Sequence, residues 1–213
     1  MDDRLPTSRG AIVLCGGASS RMGRDKAWLP FGSHGTMLEC AVRILGGVAP
    51  EQNIVVVAGR RQQVPPLAGE VTVVHERGEG EGPLAALVEG LARLPAGVDM
   101  AFVCGCDAPL LRPALIERLL SLAGTDFEAV VPTDAERLYP LAAVYAIRGL
   151  PGLRAATASG ERSLHRALRG GHLVVREVGV EDLRAVDPEL ESLVNCNTPE
   201  EYAWALARAG FKS

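Results

Sequence analysis

The sequence predicts an α/β protein built on a single doubly wound, mostly parallel sheet with helices on both faces. Three observations carry this expectation. Short apolar runs of strand length alternate with helix-length segments through most of the chain. The runs at 54–58, 71–74, 100–104 and 129–131 are nearly continuous in apolar residues, as strands covered on both faces must be. The segments between them open on helix start signals, and right-handed crossovers follow from strand twist.

The elements follow in order. Ala11-Ile12-Val13-Leu14 is the first strand, and it empties into Cys15-Gly16-Gly17-Ala18-Ser19-Ser20-Arg21-Met22-Gly23-Arg24-Asp25-Lys26. Thr36-Met37-Leu38-Glu39 is a capping box opening a helix with Leu38, Val42 and Leu45 on one face. Residues 82–94 form a second helix, apolar at Leu84, Leu87, Val88 and Leu91. Pro113 suits the first residue of a third helix that reaches about residue 122. Thr198-Pro199-Glu200-Glu201 opens the last one, again as a capping box. The stretch from about 138 to 194 is less regular. No repeat, low-complexity tract or linker interrupts the chain, so one domain over 1–213 is expected, with a nucleotide-binding half at about 10–110 and a second half at about 111–213.

Composition narrows the function. The 213 residues are 47% hydrophobic and 23% charged, an ordinary globular balance. A net charge of −4 leaves no basic excess for a nucleic-acid backbone, so no nucleic-acid partner is expected. Met1-Asp2-Asp3-Arg4 has no apolar segment behind it and does not resemble a signal peptide. The apolar run at 138–147 is too short to span a membrane and contains Pro140. The five cysteines are scattered, with no C-x-x-C, and are read as reduced thiols of a cytoplasmic protein. None of His34, His75, His165 and His172 has the spacing of a metal pair, and Trp28 and Trp204 are expected to pack inside.

The loop after the first strand carries the chemistry. Glycines let backbone N–H groups approach anionic oxygens, and Arg21 and Lys26 add positive charge. The loop is neither a Walker A motif nor a G-x-G-x-x-G fingerprint. A plain tight turn at Gly16-Gly17, and a surface salt bridge of Arg21 or Lys26 with Asp25, are the bland alternatives. Asp107 follows the strand at 100–104. In an open parallel sheet the carboxyl ends of strands meet ligands, and a carboxylate there can hold Mg²⁺ against a triphosphate. Capping the turn before Pro113 is its other reading.

The run Leu14-Cys15-Gly16-Gly17-Ala18-Ser19-Ser20-Arg21-Met22-Gly23-Arg24-Asp25-Lys26 resembles the loop of the molybdenum cofactor guanylyltransferases, nucleotidyltransferases that attach GMP to molybdopterin. Gly82-Pro83-Leu84-Ala85, Cys106-Asp107-Ala108-Pro109, Pro140 with Ala143-Val144, Gly160-Glu161-Arg162 and Asn195-Cys196-Asn197-Thr198-Pro199-Glu200-Glu201 extend the resemblance over nearly the whole chain. It implies a Rossmann-like nucleotidyltransferase fold that uses GTP, molybdopterin and Mg²⁺. It also implies transient contact with molybdenum cofactor biosynthesis proteins or molybdoenzymes, and no membrane.

Carried over residue by residue, the resemblance makes Asp107 the magnesium ligand, and Lys26 and Arg21 the catalytic cations. Leu14, Cys15, Gly16, Gly17, Lys26, Glu76, Gly82, Pro83, Leu84 and Asp107 are then the nucleotide-binding residues. A carboxylate at Glu76 suits guanine, whose N1–H and amino group are adjacent donors. The N-terminus of the helix at Gly82-Pro83-Leu84 would face the nucleotide. Arg162, Asn195 and Asn197 fall to the acceptor, which the second half of the chain would bind. The chain departs from the family at Cys15 for alanine, Glu76 for aspartate, Glu79-Gly80 for Pro-Gly, Tyr139 for histidine, and in having no asparagine near Ala58–Gly59. Most of these fall on the base-reading side. Two alternatives therefore stand: a cytidylyl- or sugar-phosphate nucleotidyltransferase on the same fold, and a non-catalytic nucleotide- or cofactor-binding partner protein.

Overall fold

The computed structural model describes residues 8–16, 24–78 and 80–211. Its strands are β1 (Ser8–Leu14), β2 (Ile54–Ala58), β3 (Thr72–His75), β4 (Val98–Gly105), β5 (Ala129–Thr133), β6 (Ala142–Ala146) and β7 (Val175–Gly179). Its helices are α1 (Met37–Gly46), α2 (Pro83–Arg93), α3 (Pro113–Leu122), α4 (Leu150–Ala158), α5 (Leu164–Arg169), α6 (Val180–Leu183) and α7 (Pro199–Arg208). One sheet runs in the order β3-β2-β1-β4-β6-β5-β7. All its pairings are parallel except those of β6, which lies antiparallel to β4 and β5.

Strand periodicity divides the core into two layers. Ala11 and Val13, Ile54 and Val56, and Phe102 and Cys104 face one side, under Leu38, Ala41 and Leu45 of α1 and Leu115 and Leu119 of α3. Ile12 and Leu14, Val55 and Val57, and Ala101 and Val103 face the other, under Leu84, Leu87 and Leu91 of α2 and Leu153 and Ala156 of α4. Each fully buried leucine contributes about 1.5–3 kcal/mol relative to exposure. This two-sided burial is why the central strands read as unbroken apolar runs.

Helix starts follow the local sequence. The Thr36 hydroxyl accepts the Glu39 N–H while the Glu39 carboxylate accepts the Thr36 N–H, and Thr198 with Glu201 repeats the arrangement at α7. The irregular stretch at 138–194 proves to hold β6, β7 and three short helices. α5 has 6 residues and α6 has 4, too few to show a helical period. Trp28 and Trp204 are not packed inside: they are 46% and 44% exposed. All five cysteines are free and buried. Among the described residues no helix is long and apolar enough to cross a membrane.

Candidate active site

β1 and β4 are neighbours, and the chain leaves β1 toward β2 on one side and β4 toward β5, beyond β6, on the other. Such a reversal opens a crevice at the carboxyl ends of the strands. Here it is a cleft of about 560 Å³. Leu14, Cys15, Gly16 and Lys26 line it from the β1 side, Glu76 from the β3 side, Gly82 and Pro83 from α2, and Asp107 from the β4 side. Gly17 and Arg21 lie outside the described residues.

Lys26 stands at its centre. Its Nζ donates to Asp107 Oδ2 at 2.8 Å and to Asn197 Oδ1 at 2.7 Å. The surface pair with Asp25 considered for Lys26 is not what forms. Asp25 instead caps the short 3-10 turn at Lys26–Trp28, its Oδ1 accepting the Ala27 N–H at 3.0 Å. Both Asp25 carboxylate oxygens also accept from Gln62 Nε2 at 2.9 Å, while Gln62 Oε1 accepts the Gly59 N–H at 2.8 Å. The loops after β1 and β2 are thereby tied together, with Lys26 beside the tie.

Glu76 closes the far wall. Burial, and then the negative charge of Glu81, push its carboxyl above the usual carboxylate range. It packs so closely on Gly16 that a Cβ there would stand 2.1 Å from Glu76 Oε1. Below the loop, the Cys15 thiol is raised chiefly by its hydrogen bond with Cys106 and then by burial, so it serves as floor, not nucleophile.

The start of α2 differs from the expectation. Leu84 is fully buried and does not line the cleft, and its backbone N–H is engaged by the Arg162 carbonyl at 3.4 Å. Gly82 has φ 82°, and a Cβ on it would lie 2.8 Å from that same carbonyl oxygen. Arg162 itself sits against this loop, its Nη1 3.5 Å from the Gly80 carbonyl. Neighbouring Glu161 braces the turn. Arg166 above all, with the Ser163 and Arg162 N–H groups, holds its carboxyl down at about 2.

A second cleft of about 340 Å³ adjoins the first and shares Asn197 and Leu141 with it. Tyr139, His165, Asn195 and Glu201 line it further out. Glu201 Oε2 accepts the Asn197 N–H at 2.6 Å, and Asn197 Nδ2 donates to the Asn195 carbonyl at 3.3 Å. The Cys196 N–H donates to the Asp107 carbonyl at 2.8 Å, fastening this turn to the end of β4. Tyr139 donates to Asp134 Oδ2 at 2.6 Å with the Arg137 guanidinium over its ring. Its phenol is raised, first by burial and then by Asp134. His165 is lowered by burial and by the charges of Arg169 and Arg137.

A family model described as a MobA-like NTP transferase domain matches residues 11–175, which include the end of β1, the loop after it and Asp107. The chain belongs to the MobA-like NTP transferase family. It is a nucleotidyltransferase by class. A "Probable molybdenum cofactor guanylyltransferase" of Mycolicibacterium paratuberculosis is 39% identical over 204 residues, covering 93% of this chain and 95% of that protein. A protein of the same name from Mycobacterium tuberculosis is 43% identical over 166 residues, covering 76% and 79%. Among solved structures, "Molybdopterin-guanine dinucleotide biosynthesis protein A" from Archaeoglobus fulgidus shares the fold with a TM-score of 0.74 at 24% identity, covering 95% of this chain and 98% of its own. A 2-C-methyl-D-erythritol 4-phosphate cytidylyltransferase from Thermus thermophilus gives 0.69 at 16% identity, covering 95% and 99%.

Some participants went unread in the sequence. Gln62 braces the loop after β1 from 37 residues away, and no local pattern marks it. Leu141 and His165 join the second cleft only through tertiary contact. Glu201 was legible as a capping residue, and the proximity of its carboxylate to Asn197 was the available clue.

Proposed function

We propose that the chain transfers GMP from GTP to the terminal phosphate of molybdopterin and releases pyrophosphate. The observation that carries this reading is the Lys26 ammonium, which joins Asp107 of the first cleft to Asn197, the residue that both clefts share. A group so placed meets both substrates where they must touch.

Asp107 would hold Mg²⁺. Among the described residues no cluster of three ligating side chains forms a closed metal cage. A single carboxylate fits Mg²⁺ nonetheless, because this ion keeps several waters and takes its other ligands from substrate phosphates. Bound there, Mg²⁺ supplies charge neutralisation on the triphosphate.

The protein's own groups do the rest. The Gly16 backbone receives the phosphates, Cys15 lying beneath it with its own N–H held by the Val57 carbonyl, and Lys26 offsets charge developing around the α-phosphorus. Glu76 accepts the adjacent donors of guanine. Asn195 and Asn197 orient the pterin, so that the acceptor phosphate oxygen lies in line with the α-phosphorus. A new P–O bond forms as the bond to pyrophosphate breaks. The acceptor phosphate is ionised at neutral pH, so positioning replaces a strong base.

Pyrophosphate release tests the reading, measured with GTP and with CTP, each with Mg²⁺ and molybdopterin, and with Asp107→Ala as control. Release with GTP that is lost in the variant supports it. Release with CTP overturns the base assignment, and nucleotide binding without release with either nucleotide favours a non-catalytic carrier.

A further inference from the structure

A buried charge cluster outside both clefts is not used by the proposed chemistry. Asp187 is completely excluded from solvent. Its Oδ2 accepts the Ser192 N–H at 2.9 Å, its Oδ1 accepts the Glu191 N–H at 3.2 Å, and Arg112 Nε lies 3.3 Å from Oδ1. Arg112 also donates through Nη2 to Glu191 Oε2 at 2.7 Å and through its backbone N–H to Ser192 Oγ at 2.9 Å. Glu191 pairs in addition with Arg208 of α7. Arg112 first, and Arg208 next, hold its carboxyl below the usual range. The segment includes Leu190 at φ 53°. A left-handed leucine costs about 1–2 kcal/mol, so its surroundings must over-determine it.

The cluster's place in the fold gives it a role. Arg112 is the N-cap of α3, at the end of the turn that begins at Asp107. Ser192 lies just ahead of Asn195 in the chain. The two edges of the active site are therefore tied behind the cleft by Arg112 and Asp187, and within it by the Cys196 N–H on the Asp107 carbonyl. Stability alone is a poor reason for such a cluster, because desolvation offsets most of the attraction in a buried ion pair. Fixed geometry is a better one.

We propose that Arg112 and Asp187 are positioning residues that set the Asn195–Asn197 turn, and with it the acceptor subsite, against Asp107. This rests on the reading of Asn195 and Asn197 as acceptor-facing. Neither residue touches a substrate. Each acts through the turn it holds.

The test compares Arg112→Met with Arg112→Lys in the full chain, and uses Asp187→Asn as a second approach. Arg112→Met leaves the fully buried Asp187 carboxylate without its ion-pair partner and costs stability, so both KM values are measured at a temperature where thermal unfolding shows each variant folded. Arg112→Met is expected to raise the KM for molybdopterin about tenfold while the KM for GTP moves less than about twofold, because misplacement is confined to one subsite. Arg112→Lys, which can still meet Glu191, recovers part of that loss. Hydrogen exchange without any acceptor must show faster exchange in residues 193–198 of the Met variant, with β2 and α2 unchanged. Equal changes in both KM values, or exchange that rises only in 184–192, overturn the proposal. Should the wild type fail to transfer to molybdopterin, the guanylyl reading falls, and the exchange experiment still decides the positioning role.

Discussion

Lys26→Met separates catalysis from stability at the centre of the site. The ammonium lies 2.8 Å from Asp107 Oδ2, with side-chain exposures of 15% and 16%. At an effective dielectric near 20, the gross attraction at that distance is about 6 kcal/mol. Desolvation of both groups cancels most of it. Asp107 keeps some contact with water and can rehydrate when the lysine is gone. The net cost then falls below the 3–5 kcal/mol of a fully buried pair, at about 1–2 kcal/mol. For a chain of this length that lowers Tm by about 2–8 °C. The catalytic cost is larger. A preorganised charge facing the reacting phosphates is worth about 10²–10³ in kcat, or about 3–4 kcal/mol on the barrier. The assay is steady-state pyrophosphate release at saturating GTP and Mg²⁺, with Tm from thermal unfolding of the same preparations. A kcat within about threefold of wild type refutes the catalytic reasoning. So does a loss of activity fully accounted for by the unfolded fraction.

Three further outcomes follow from the same geometry. Glu76 has its folded-state pKa raised by burial and by Glu81, so its ionised form costs stability above that pKa and the cost fades as pH falls through it. Glu76→Gln is therefore expected to raise Tm at neutral pH, with the gain shrinking toward acid, while weakening GTP in a direct titration; a gain that grows on acidification contradicts this. Gly16→Ala puts a methyl group where Glu76 Oε1 now lies; the flexible carboxylate gives way at small cost in Tm, and the KM for GTP rises. Gly82→Ala meets the Arg162 carbonyl at φ 82° and should cost about 1–3 kcal/mol, read as a lower urea midpoint with an unchanged slope.

The sequence by itself determined the layered α/β fold, because two-sided burial writes unbroken apolar runs such as Ile54–Ala58 and capping chemistry at Thr36 and Thr198 is local. It also supplied Gly16, Lys26 and Asp107 as candidate site residues at the ends of β1 and β4, while contacts from Gln62 and Cys196 hold their loops from a distance. Tertiary structure alone decided four things. β6 runs antiparallel between β4 and β5, a choice that five residues of Ala-Ala-Val-Tyr-Ala cannot encode. Arg162 lies by Gly80, and its carbonyl serves the start of α2. Lys26 reaches Asn197 from 171 residues away, and Arg112 reaches Asp187 and Glu191 across the back of the site. Such contacts obey no sequence period. They exist only once the sheet has brought the ends of β1 and β4 together and α7 has docked beside them.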